Sequence, residues 1–185
     1  VRVRVRSIRP IKDLHALQAR LVADRLRIDP AAAQSLIEDV VYTRLPNRFH
    51  GVKPHCGLTQ VLLKLSEHGA KLGVLSDLPP YEKLDHIGLT GFDCVVTSES
   101  THYLKPNPEP FRYAAERLGL QPAQVLYVGN HYRYDILGAR VAGMLTAHRA
   151  PRQERGSRAD LTFSRYDRLL AAIDAAGIKL PVDRG

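Results

Sequence analysis

Cysteine is scarce in this chain. Only Cys56 and Cys94 occur among 185 residues, far apart and without metal-ligand spacing, so both read as reduced, structural thiols. Cys94 lies inside "DCVVTS", where a small buried hydrophobe is expected. Long apolar runs are missing too: none approaches the ~20 residues of a membrane helix. No signal peptide with an apolar centre opens the sequence. The expectation is a cytoplasmic protein with no membrane partner. The eight histidines form no HExxH pair, and no zinc-finger or basic-zipper spacing appears. Acid is outnumbered, 19 Asp and Glu against 27 Lys and Arg, for a net charge of +8. Such an excess can serve a nucleic-acid partner. Here Arg is spread along the chain, and the denser stretches "VRVRVRSIRP" and "RAPRQERGSR" have little aromatic interleaving, so no nucleic acid is expected. Internal repeats and low-complexity tracts are absent.

What is present suits one domain, or one domain with a small insertion. A hydrophobic fraction of 44% and a charged fraction of 25% over 185 residues are enough for a real core. Leu14, Leu17, Leu21 and Leu26 recur at near-helical spacing, with Asp13 placed to start the helix. In "IDPAAAQSLIEDVVYTRLP", Asp29 is the expected N-cap, Pro30 the first helical residue and Pro46 the stop. These two helices predict a hairpin whose leucines belong to a core.

Beyond "NRFHGVKPHCG" the rhythm changes. "LTQVLLKLSEHG" predicts a helix closed by Gly69, "KLGVLSD" a strand, "YEKLDHIG" a helix and "FDCVVTSE" a strand. "NPEPFRYAAERLGL" predicts a helix, "VLYVGN" a strand, "YDILGARVAG" a helix and "MLTAHRA" a strand, with a last helix from Tyr166 to about Ala176. Continuous apolar strands alternating with helices imply an α/β fold, a parallel sheet covered on both faces. In such sheets ligands sit beyond the carboxyl ends of the strands. That rule directs attention to Ser76 and Asp77, to Thr97 through Glu99, and to Gly129 through Asp135.

Three pieces converge there. "VLSD" puts the Ser76 hydroxyl where it can donate to a phosphoryl oxygen. "YLKPNPEPF" supplies Lys105, a fixed positive charge before a rigid proline. "VGNHYRYD" places Asn130 and Asp135 on a loop suited to an oxygen-ligated magnesium ion. In this order and spacing the segments resemble motifs two, three and four of the haloacid dehalogenase-like hydrolase superfamily, from about Gly51 to Ala150. The resemblance implies a Rossmann-like three-layer core over residues 51–185 and a partial helical cap over 8–50, with 1–7 either strand or cap remnant. It also implies phosphoryl transfer through an aspartyl-phosphate, with magnesium neutralising developing charge. Carried over, Ser76, Asp77 and Lys105 would bind the phosphoryl group, Ser76 and Lys105 would act in catalysis, and Asn130 and Asp135 would hold the metal.

The departures are as informative. No DxD motif, the family's nucleophile and acid/base, occurs anywhere in the sequence; "VRVRVRS" does not replace it. The expectation is that the first core strand is missing and that the sheet shows either a gap or Val1–Arg6 filling it. Asn130 keeps a carbonyl oxygen but not the charge of the family's aspartate, so magnesium would bind weakly or not at all.

Plainer roles stand beside these. Ser76 can cap a turn, Lys105 can be a surface charge, Asp135 can be an N-cap, and Asp77 can simply orient Lys105. The reading is a magnesium-dependent phosphatase-type hydrolase for a small phosphorylated metabolite, inactive as given. The alternatives are a non-catalytic domain binding phosphate or a partner, and a dehalogenase. Substrate identity and oligomeric state are open.

Overall fold

The computed structural model describes residues 10–153 and 155–181; the stretch Val1–Arg6, expected as a possible filler of the sheet, lies outside them. Helix α1 (Leu14–Leu26) begins at Asp13, whose carboxylate accepts from the Ala16 amide at 2.8 Å. Helix α2 (Pro30–Ile37) begins at Asp29, which accepts from Ala31 and Ala32 at 2.8 and 3.3 Å. Both caps satisfy backbone N–H groups that the first turn leaves orphaned. The hairpin closes on Val22, Ala23 and Ala33, but Leu26 and Leu36 are 51% and 40% exposed. Leu26 ends α1 beyond the seam, and in α2 it is Ala33 and Ile37, not Leu36, that pack inward.

Helical backbone runs on past Ile37 and ends one residue beyond Pro46, the expected stop. After Ile37 the backbone widens into a π-helical segment, Glu38–Arg44, and a last turn α3 (Leu45–Asn47) carries Pro46 near its own start. The Leu45 N–H still bonds to the Val40 carbonyl, and Pro46, without an N–H, cannot carry the ladder further.

The remaining chain alternates as predicted: α4 (Leu58–Glu67), β1 (Gly73–Ser76), α5 (Tyr81–His86), β2 (Cys94–Thr97), α6 (Glu109–Arg117), β3 (Leu126–Gly129), α7 (Leu137–Ala142), β4 (Leu145–Arg149), β5 (Leu161–Phe163) and α8 (Leu169–Ala175). All pairings are parallel. Val61 of α4, Leu169 and Ile173 of α8 pack with Ala147, Leu161 and Phe163 in one core cluster. Phe111 and Ala115 of α6 meet Ala139 and Ala142 of α7 and Met144 in another. The result is a Rossmann-like α/β arrangement. Among the described residues the strands fall into two sheets, β1-β2 and β3-β4-β5. β1 and β3, each at the end of its strand order, are the more open ones: Gly73 of β1 is exposed and Val128 of β3 is 36% exposed, while β4 buries Thr146, Ala147 and His148.

The hairpin is fastened to the sheets by a few contacts. Ile11 N–H donates to the His102 carbonyl at 2.8 Å, Tyr42 OH to Glu99 Oε1 at 2.9 Å, and Ile11 and Leu14 bury Leu104. Both cysteines are free thiols, Cys94 buried and Cys56 exposed. Burial raises the Cys94 thiol pKa despite Arg117 nearby.

Asp160, unremarked in the sequence, ties the loop before β5 to β4. It accepts from the Thr146 amide and hydroxyl at 2.8 and 2.7 Å and from Arg140 at 3.0 Å. Burial alone would raise its pKa; the Thr146 and Arg140 contacts outweigh it and hold the carboxyl below its usual range. A carboxylate depressed on folding adds stability above its unfolded pKa of about 3.9 and loses it as pH falls through the folded value. Asp160→Asn is therefore expected to cost about 1–2 kcal/mol at neutral pH and to flatten the acid limb of the stability curve below pH ~4. Urea titrations at pH 7 and pH 3 check this: the cost should shrink at the lower pH.

Candidate active site

Ser76 ends β1 and Asp77 follows it, buried to 4% exposure. Ser76 Oγ accepts from the Leu78 amide at 3.2 Å, the turn-capping role open to it from the start. This contact uses an oxygen lone pair and leaves the hydroxyl hydrogen free to donate. Asp77 Oδ1 accepts from Ser98 Oγ at 2.8 Å and from the Lys105 amide at 3.2 Å. Asp77 thus fixes the backbone that carries Lys105, the orienting function considered for it.

Lys105 reaches across to the other sheet. Its ammonium donates to Asp135 Oδ1 at 2.7 Å and to Tyr127 Oη at 3.3 Å, with the Lys105 and Asp135 side chains only 11% and 10% exposed. Burial by itself would lower the lysine pKa; Tyr127, Asp135 and Asp77 reverse that and raise it. The ammonium therefore stays charged throughout the physiological range. It is not a surface charge.

Asp135 stands in the π-helical turn Tyr132–Ile136 that leads into α7. Its second oxygen, Oδ2, accepts from the His131 amide at 3.0 Å. Gly129 makes room for it: a Cβ there would lie 2.4 Å from Asp135 Cβ. Asn130, by contrast, is exposed on the loop. Of the four residues after it, Tyr132 OH accepts from the Arg158 amide at 2.8 Å, and His131 and Tyr134 face one another at 4.3 Å.

Tyr127 was not singled out by sequence reasoning, because a tyrosine inside an apolar strand reads as core. The available signal was its register, two residues before Gly129 and so on the same strand face. Its ring stacks edge-on against Phe111 at 4.9 Å. Burial, partly offset by Lys105, pushes its pKa up to about 12.

The donor set for magnesium is incomplete. Among the described residues no group of three or more His, Cys, Asp or Glu side chains is placed to hold a metal. Asp135 offers one carboxylate, already engaged by Lys105 and an amide; Asn130 adds a neutral oxygen. A magnesium ion ordinarily wants one or two carboxylates together with substrate oxygens. These residues alone do not make such a site.

The spacing of these segments has counterparts elsewhere. A family profile described as haloacid dehalogenase-like hydrolase matches residues 14–148. The chain belongs to that family. Glyceraldehyde 3-phosphate phosphatase of Methanopyrus kandleri is 35% identical over 136 residues, 71% of this chain and 58% of that protein. Pyrophosphatase PpaX of Halalkalibacterium halodurans is 29% identical over 127 residues, 65% of this chain and 58% of that protein. The chain thus spans less than two thirds of the length of these relatives. The crystal structure of a HAD phosphatase from Thermococcus onnurineus superposes with a TM-score of 0.62 at 22% identity, covering 90% of this chain and 89% of that one. A β-phosphoglucomutase from Clostridium difficile gives 0.68 at 18% identity, covering 80% and 66%. At such identities these two neighbours establish the fold.

Proposed function

We propose that this chain carries the phosphoryl-binding part of a phosphohydrolase acting on a small phosphorylated metabolite, and that it does not turn over by itself. The observation that carries this reading is the Lys105–Asp135 pair at 2.7 Å, with Asp77 accepting from the Lys105 amide and Ser76 next to it in sequence at the end of β1. A buried ammonium fixed on two sides and a hydroxyl with a free hydrogen are the donors a phosphoryl group needs. Similarity to glyceraldehyde 3-phosphate phosphatase and to pyrophosphatase PpaX supports a phosphorylated substrate.

The chain's own residues bind and orient; they do not attack. Ser76 and Lys105 would grip phosphoryl oxygens, and Asp77 would keep Lys105 in register. Residues 10–50 would serve as the cap and the α/β layers after it as the core. Magnesium, when bound, would neutralise charge on the transferring group. Asp135 and Asn130 would contribute to holding it, but a further carboxylate must join them. One ammonium against two carboxylates leaves the site net negative, so a cation beside them would strengthen the hold on a phosphate dianion. A strand ending in DxD, set beside β1 and β3, each of which has one edge without a strand partner among the described residues, would bring both that carboxylate and the nucleophile. The alternative, a phosphate- or partner-binding domain without catalysis, is favoured by the incomplete donor set.

The two readings separate in one assay. With magnesium and para-nitrophenyl phosphate, the chain as given is expected to show no hydrolysis above background. An upstream-extended form carrying DxD is expected to show magnesium-dependent turnover. Activity in the short form would refute the proposal, and inactivity of the extended form would favour the binding domain.

A further inference from the structure

A cavity adjoins Ser76. Between the π-helical segment with its following turn and the loop leading into α5 lies a cavity of about 200 Å³, with Ser76 in its wall. Val41, Leu45 and Phe49 line one side, and Leu78 and Pro80 the other. Its two tyrosine hydroxyls are engaged elsewhere, and its charged groups lie at the rim. Tyr42 OH donates to Glu99 at 2.9 Å, Tyr81 OH to the Val95 carbonyl at 3.3 Å, and the Lys83 ammonium lies 4.7 Å from the centre of the Phe49 ring. Glu82 and Lys83 are exposed.

From this we propose that the cavity selects the organic half of the substrate, and that this half is a single apolar group, an aromatic ring or a short alkyl chain, esterified to the phosphate held at Ser76. The inference rests on the phosphoryl-binding reading above. Size agrees: a dry cavity of roughly 150 Å³ lined by aliphatic and aromatic side chains is enough to hold a benzene ring. Chemistry agrees as well. A polyhydroxylated substrate would bring hydroxyls against Val41, Leu45, Phe49, Leu78 and Pro80, which offer no hydrogen-bonding side chain, leaving them unpaired at a substantial cost. An apolar ring loses nothing there and gains by leaving water. The wall has contributors from both the hairpin side and the α/β layers, so the organic group would also hold the two together.

Calorimetric titration of the chain in magnesium buffer with three probes tests this: phenylphosphonate, whose P–C bond is not hydrolysed, glycerol 3-phosphate and inorganic phosphate. Phenylphosphonate is expected to bind at least about tenfold more tightly than the other two, the scale of burying one ring. Leu45→Asn and Phe49→Leu should each erode that advantage several-fold while leaving inorganic phosphate unchanged, and circular dichroism should show both folded. If inorganic phosphate binds but phenylphosphonate is no tighter, or if glycerol 3-phosphate matches it, the apolar selection is wrong while the phosphate site stands. If none of the three binds, both fall together.

Discussion

Asp135→Ala will lower the unfolding free energy by about 3 kcal/mol, toward the low end of what stripping one partner from a buried ion pair costs. The reason lies in what stays behind. Lys105, 11% exposed, keeps its charge but is left with the Tyr127 oxygen at 3.3 Å and the more distant Asp77. The His131 amide loses its acceptor as well. Asp135→Asn should cost less, since an amide oxygen can still face Lys105, although its NH₂ cannot accept from His131. Removing both charges, with Lys105→Met and Asp135→Leu together, should recover most of the loss, because an apolar pair fills the same space without a stranded ammonium. Urea denaturation of the four proteins, extrapolated linearly to water, gives the comparison. A cost below about 1 kcal/mol for Asp135→Ala would mean that the pair behaves like a surface salt bridge.

Phe111→Ala will cost about 3–5 kcal/mol, the usual range for emptying a fully buried aromatic site. Phe111 is 0% exposed and joins Ala115, Ala139, Ala142 and Met144 in one cluster. The packing leaves no slack: a Cβ on Gly138 would come within 2.6 Å of the ring. Phe111 also supports the site from below, since its ring stacks on Tyr127, which in turn accepts from Lys105. The loss should therefore appear twice, as a lower urea midpoint and as weaker phosphate binding in whatever fraction remains folded. Unchanged stability would show that the α6–α7 layer is not the core described.

Local signals in the sequence told most about the elements. Asp13, Asp29, Gly69 and Gly143 bound their helices because capping depends on a few adjacent residues and a single backbone angle. Pro46 marked the end of its helical run to within one residue for the same reason, but nothing local announced the widened π segment before it. Leu26 obeyed helical spacing, but whether a stripe position meets a partner depends on where the facing helix ends.

The site was partly legible. Lys105, Asp135, Ser76 and Asp77 were marked by spacing and strand-end position, and the structure gathers the Lys105 and Asp135 side chains directly and joins Asp77 to the Lys105 backbone. What spacing could not disclose was that Asp135 spends its oxygens on Lys105 and the His131 amide, so that a residue chosen as a metal ligand is also half of an ion pair. Tyr127 escaped notice because hydrogen bonding between a strand tyrosine and a lysine 22 residues earlier is a tertiary fact. The division into two sheets is likewise a matter of which strand lies beside which, and neither β1 nor β3 carries a local mark of it.

The claim on which the account turns is that Ser76 and Lys105 together hold a phosphate. Phosphorus NMR titration of inorganic phosphate with this chain in magnesium buffer measures that directly. Saturable binding is predicted, weakened about tenfold or more by Lys105→Met, which removes a charge-assisted donor, and several-fold by Ser76→Ala, which removes a neutral one. A chain that does not bind phosphate, or variants that bind it as well as the parent, would contradict the account.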